Sequence, residues 1–134
     1  MASILRVDTL TDASSNNSIA MSTVFNGSVK AWLRVNGTGT PAFTDNFNGS
    51  SVTDNGTGDY TITISNDMNN SSYVIASHTQ RSASVTENSY CSSYQNSYDD
   101  AHSTGFFRVS TTRPDNASHE DALSVQLSVL GDLA

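Results

Sequence analysis

The sequence predicts an all-β protein: an antiparallel β-sandwich, jelly-roll-like, of about seven strands, preceded by an extended N-terminal arm. Three observations lead there. Apolar and polar residues alternate with period two in several runs, the pattern of strands with one buried face. Turn-forming Asn, Asp, Gly and Pro separate those runs about every 8–12 residues. Finally, 51 of the 134 residues are Ser, Thr or Asn, while hydrophobic residues make up 36% and charged residues 14%. That composition suits one thin core under faces that are polar but neutral.

Residues 1–23 form the arm. Ile4, Leu5, Val7 and Leu10 make an apolar patch, and the small polar run TDASSNNS follows. The segment has too little apolar surface to fold alone, and its aliphatic residues are poor choices for a free tail, so it is expected to dock on its own domain, a neighbouring subunit or a larger assembly. Residues 24–134 form the β-domain. A strand is expected from Val24 to Val35, with Val29, Ala31, Leu33 and Val35 on one face and Lys30, Trp32 and Arg34 on the other. Trp32 then lies between two cations, under another layer or subunit or half-exposed on the sheet.

Asn36-Gly37-Thr38-Gly39-Thr40-Pro41 ends that strand, with Asn-Gly supplying positive φ angles. Phe43 and Phe47 flank a polar piece, and Asn48-Gly49 turns again. Val52 begins a strand, Asp54 to Asp59 turn, and Tyr60, Ile62 and Ile64 alternate with Thr61 and Thr63 in the clearest hairpin arm. Met68 plugs the core edge. Tyr73 to His78 reads as a strand between two layers, because both of its phases are partly apolar. Residues 79–103 combine a strand with a long exposed loop holding Tyr90, Tyr94 and Tyr98. Gly105 to Ser110 is a strand. Leu123, Val125, Leu127 and Val129 alternate with Ser124, Gln126 and Ser128 in a last strand whose regularity suggests antiparallel pairing.

Composition limits function. The formal net charge is −7 and Lys30 is the sole Lys, which argues against nucleic acid and against anionic membrane surfaces. No stretch approaches the roughly 20 apolar residues of a membrane span, and the N-terminus does not read as a secretory signal. Cys91 is alone, so no disulfide framework forms within the chain. A core this thin favours partner chains.

No catalytic motif stands out. His78, His102 and His119 lie among 23 serines, so nearness of Ser to His is expected by chance, and no G-x-S-x-G elbow is present. Asp54 to Asp59 offers oxygens to calcium but lacks the D-x-D-x-D-G order and is explained as a turn. Asp99, Asp100 and His102 read as a solvated loop before a metal site. No catalytic, cofactor-binding or metal residue is therefore assigned. Tyr90, Tyr94, Tyr98, Asp99 and Asp100 offer stacking faces and hydrogen bonds to a surface receptor, sugar or protein; the alternative is that the rings fill the core or a subunit contact.

Lys30-Ala31-Trp32, Asn36-Gly37-Thr38-Gly39-Thr40, Phe47, Ser51 through Ile62 (SVTDNGTGDYTI), Met68 and Tyr73 together resemble a module of tailed-bacteriophage tail-fibre and virion fibre proteins, of the kind found in marine phages. Ile4-Leu5-Arg6-Val7-Asp8-Thr9-Leu10 resembles the start of many such proteins. The resemblance covers roughly the first 75 residues. It implies a non-enzymatic structural protein of the virion, assembled in the bacterial cytoplasm as a homotrimer and joined to other virion proteins. The expected role is a trimeric tail fibre or spike that contributes to host-surface attachment. Alternatives are a trimeric capsid decoration (cement or head fibre) protein and a glycan-binding module or polysaccharide-degrading enzyme. Candidate subunit-interface residues are Ile4, Leu5, Val7, Leu10 and Trp32.

Overall fold

The computed structural model describes residues 4, 6–81, 92–95, 102–113 and 117–134, with 92–95 as backbone only. Strands β1 (Thr9–Thr11) and β2 (Ser18–Ala20) form a small antiparallel hairpin, and helix α1 (Met21–Gly27) follows. The remaining eight strands are β3 (Val29–Asn36), β4 (Ala42–Phe47), β5 (Gly49–Gly56), β6 (Asp59–Ile64), β7 (Val74–Gln80), β8 (Ser92–Gln95), β9 (Phe106–Thr112) and β10 (Ser124–Leu130). They build two four-stranded sheets, ordered β4-β3-β10-β7 and β5-β6-β9-β8, and all their pairings are antiparallel. The all-β antiparallel expectation holds, with eight strands in the sheets where about seven were expected.

Alternation explains the core. Ala31, Leu33 and Val35 of β3 and Val125, Leu127 and Val129 of β10 turn inward from the first sheet. Tyr60, Ile62 and Ile64 of β6 and Phe107 and Val109 of β9 meet them from the second. Fully burying each Val, Leu, Ile or Phe side chain of this set stabilises the fold by roughly 1.5–3 kcal/mol. Met68 is 1% exposed and bridges Leu133, closing the core edge as expected.

The structure differs from the sequence reading in four places. The first strand begins at Val29, not Val24, because residues 21–27 are helical. No side chain caps the N-terminus of α1, but at its C-terminus the backbone N–H and Oγ of Ser28 and the Nζ of Lys30 all donate to the Phe25 carbonyl. A cation on the last carbonyls is where the helix dipole favours it. Second, Lys30 is an extra residue in β3: Ala31 pairs with Val129 and Val29 with Leu130, leaving Lys30 as a bulge. The phase slips there, so Val29 is exposed and Lys30 is buried with its ammonium over the Phe25 ring, 3.8 Å from the centroid. The cation beside a ring is thus at Phe25 and not at Trp32. Third, the positive φ in the turn after β3 falls on Gly39, at 72°, not on Asn36-Gly37. Gly37 is required for space instead, since a Cβ there would lie 2.4 Å from Tyr60 Oη and 2.7 Å from the Ala122 carbonyl. Fourth, β7 is covered on one face only: Ile75 packs on the core, while Val74, Ala76 and His78 on the other face are exposed.

Polar groups tie the sheets together at both ends. Tyr60 Oη, fully buried, lies 3.1 Å from both the Gly37 carbonyl and Asp121 Oδ1, and the same oxygen accepts the Gly58 N–H at 2.6 Å. Burial, reinforced by the charge of Asp121, pushes the Tyr60 phenol far above its ordinary pKa. At the other end Tyr73 Oη reaches the carbonyls of Ser103 and Phe106, at 2.8 and 3.1 Å. His102 packs on the Tyr73 ring with centroids 4.1 Å apart, and its buried Nε2 has no hydrogen-bond partner among the described residues. Desolvation lowers the pKa of His102.

Two outcomes follow for stability. In urea unfolding, Tyr60→Phe is expected to cost about 0.5–1.5 kcal/mol and Tyr60→Ala about 3–5 kcal/mol; a neutral Tyr60→Phe would show that the buried hydroxyl does not hold the sheets. The neutral His102 ring is favoured in the folded state, so its contribution is complete above pH 6.5, the ordinary histidine value, and is lost as pH falls through the lowered folded-state pKa. Melting temperature should therefore drop more between about pH 7 and pH 5 in the wild type than in His102→Phe. Equal drops would remove His102 as the cause.

Candidate functional site

The outer face of sheet β4-β3-β10-β7 carries an open groove. Because Ala31, Leu33 and Val35 face the core, Trp32 and Arg34 must face outward. Cross-strand register then sets their neighbours. Trp32 pairs with Phe47 of β4 and Ser128 of β10, and Ser128 pairs with Ala76 of β7. One row along, Arg34 pairs with Asp45 and Gln126, and Gln126 pairs with His78. These two rows line an open groove of about 500 Å³. Volumes of about 300–1,000 Å³ are usual for small-ligand clefts.

The polar row is only lightly engaged. Arg34 Nε donates to Ser124 Oγ at 3.3 Å, and Asp45 Oδ1 accepts the Asn46 N–H at 2.9 Å. Among the described residues, the side chains of His78 and Gln126 have no hydrogen-bond partner. Trp32 is 43% exposed, and Phe47 beside it is 52% exposed. Val29 and Val74 extend the apolar part of the face, both paired with Leu130. The groove thus combines an aromatic surface, one guanidinium, one carboxylate, one amide and one imidazole.

A search among known proteins finds no matching family model, no matching curated protein and no matching solved structure.

The residues singled out from the sequence fall in three places. Ile4, Val7 and Leu10 are exposed on the arm, together with Ile19 of β2 and Val24 and Phe25 of α1. The arm is not simply extended: a tight loop closes its hairpin, where the Asp12 carboxylate accepts Asn17 Nδ2 at 2.7 Å and the Asn16 N–H at 2.9 Å. The hydrogen bond from Asn17 chiefly lowers the Asp12 pKa. Trp32 lies on the sheet face, and of the described arm candidates none of Ile4, Val7 and Leu10 lines its groove. Leu5, Tyr90, Tyr98, Asp99 and Asp100 lie outside the described residues. Tyr94 sits in β8, paired with Ser110, and its side chain also lies outside them. The described histidines are dispersed: His78 on the groove, His102 against Tyr73, and His119 bridged to Thr112. Among the described residues no three His, Cys, Asp or Glu side chains converge on a metal position.

Sequence reasoning missed Asp45, His78 and Gln126. Alternation already pointed Gln126 outward, but only the pairing of the last strand between β3 and β7 sets it beside Arg34 and His78. Since Trp32 is half-exposed, Trp32→Ala is expected to change the chain's own unfolding free energy by less than about 1 kcal/mol, against about 2–5 kcal/mol for its buried neighbour Leu33→Ala. Chemical denaturation of both variants makes the comparison. A Trp32 loss as large as that of Leu33 would place the ring in the core.

Proposed function

We propose that the chain is a non-enzymatic structural protein of a bacteriophage virion: a homotrimeric tail fibre or spike that contributes to attachment to the host surface. The observation that carries this reading is the arm. Both strands of its hairpin are exposed throughout, and its helix buries no residue. Yet it presents Ile4, Val7, Leu10, Ile19, Val24 and Phe25 outward. A hairpin and a two-turn helix are marginal structures in water, and an exposed apolar surface of this kind is a contact surface for another chain. The resemblance of residues 30–64 and of Ile4 through Leu10 to phage fibre modules supplies the setting. In this reading the arm joins subunits to each other and to the virion, and the sandwich projects.

The test begins with mass. Sedimentation equilibrium of the purified chain is expected to give three copies. Leu10→Asp with Ile19→Asp removes about 1.5–3 kcal/mol of burial per side chain, and should give monomers with unchanged β-sheet circular dichroism. A monomeric wild type would defeat the trimer. Imaging of virions with this protein labelled then decides its location: density at the tail or baseplate supports the fibre, and density at capsid three-fold positions would replace it with a decoration protein.

A further inference from the structure

We infer that the groove across Trp32, Arg34, Asp45, His78 and Gln126 is a binding site for a neutral oligosaccharide chain. The assignment deepens the attachment reading above, on which it rests only for the source of the glycan, the host surface.

Four features of the face argue for this ligand. A sugar ring presents an apolar patch of C–H groups and a rim of hydroxyls. It therefore needs a flat apolar surface beside planar groups that both donate and accept. Trp32 is such a surface, held in place by β3 and open to solvent over 43% of its area. Beside it, Arg34 donates only, Asp45 accepts only, and Gln126 and His78 do both. All four occupy one cross-strand row. Three interstrand steps of about 4.8 Å separate its ends, so the row runs the length of a short oligosaccharide instead of a single sugar.

Charge narrows the class. One guanidinium and one carboxylate offset each other in the row, in a chain of formal charge −7. A polyanion meets no basic patch there and is repelled by the rest of the molecule. Rigidity also favours the site. Its groups stand on four hydrogen-bonded strands instead of on loops, so little conformational entropy is lost when a ligand binds. The register that creates it is fixed from behind by the buried alternation of Leu33, Val35, Val125 and Leu127. One residue of slip would turn all of these groups inward.

A competing occupant is a second copy of the chain. The exposed Phe47, Val29 and Val74 border the groove and would suit one. The polar row does not: a neighbouring subunit must satisfy Gln126, His78 and the remaining donors of Arg34 at once, or bury them at a cost.

Trp32 is the only Trp in the chain, so its fluorescence reports this groove alone. The full chain, displayed against an array of neutral and acidic oligosaccharides, should retain at least one neutral class. Titration with that oligosaccharide should change Trp32 emission to saturation. Gln126→Ala and His78→Ala, both exposed and outside the core, should each weaken binding about tenfold, and Trp32→Phe should retain more affinity than Trp32→Ala, which should lose about thirtyfold or more. An array that retains nothing, or retention unchanged in Trp32→Ala, overturns the assignment. So does Trp32 emission that is shielded from a soluble quencher in the wild type and becomes accessible in Leu10→Asp with Ile19→Asp, because the face is then a subunit contact. Sedimentation of the same samples separates the two proposals. Glycan binding by a monomeric chain defeats the trimer and leaves the groove standing; a trimer with a silent array defeats the groove alone.

Discussion

One buried phenol, that of Tyr60, links the two sheets at one end of the core. Tyr60 stands on β6 of the second sheet, and its ring fills the interior between the layers. Its Oη must then find polar partners without water, since an unmet hydroxyl in a core costs more than the bond itself contributes. The partners come from the other sheet: the Gly37 carbonyl, at the end of β3, and Asp121, just before β10. Asp121 in turn holds the Gly58 N–H in the turn that starts β6. Gly37 closes the arrangement, because its N–H donates to the Ala122 carbonyl at 2.9 Å and a side chain there would displace the phenol. One tyrosine thus links β6 to the end of β3 and the start of β10, which pair side by side in the other sheet.

That placement makes the outer face. β10 is the final strand, and it enters between β3 and β7. Its inward residues complete the core, and its outward residues, Gln126 and Ser128, join Trp32, Arg34, Ala76 and His78. Cations elsewhere are consumed structurally. Arg108 forks onto Asp59, Arg81 and Arg113 both reach Glu120, and Lys30 is folded back onto the helix end. Of the described Lys and Arg residues in the sandwich, Arg34 lines the open groove.

Much of this was legible in the sequence where the pattern was local. Period-two alternation located β6 and β10, and Tyr60, Ile62, Ile64, Val125, Leu127 and Val129 are buried as that pattern implies, whereas Leu123, read with them, is exposed. The glycines of Asp54 to Asp59 were read as turn positions, and Gly56 and Gly58 do hold positive φ. Non-local features were not legible. The bulge at Lys30 arises because β3 must both pair with β10 and fold its ammonium onto α1, and neither partner is marked in the local text. Gly37 looked like a conformational glycine and is a steric one, since the atoms it must avoid come from residues 60 and 122. The groove was invisible for the same reason. Its members are separated in sequence by up to 96 positions, from Trp32 to Ser128, and no spacing rule joins them before the strand order is known.

The chain separates two kinds of surface that a single patch would set in conflict. Assembly contacts need to be apolar and covered, whereas a surface that meets an outside ligand needs to be polar enough to stay open. The arm holds Leu10, Ile19 and Phe25 on a hairpin and helix joined to β3 through Ser28, with Lys30 of β3 folded back onto the helix end. Its position can adapt to a partner without disturbing strand register. The groove, by contrast, is built on the most constrained part of the molecule, where the Tyr60 hydroxyl and the alternating core fix every outward side chain. A substitution in the arm should therefore alter association and leave the sheet face intact, and one on the sheet face should do the reverse. That independence follows from the single covalent crossing at Ser28, and it allows either surface to change in sequence without loss of the other.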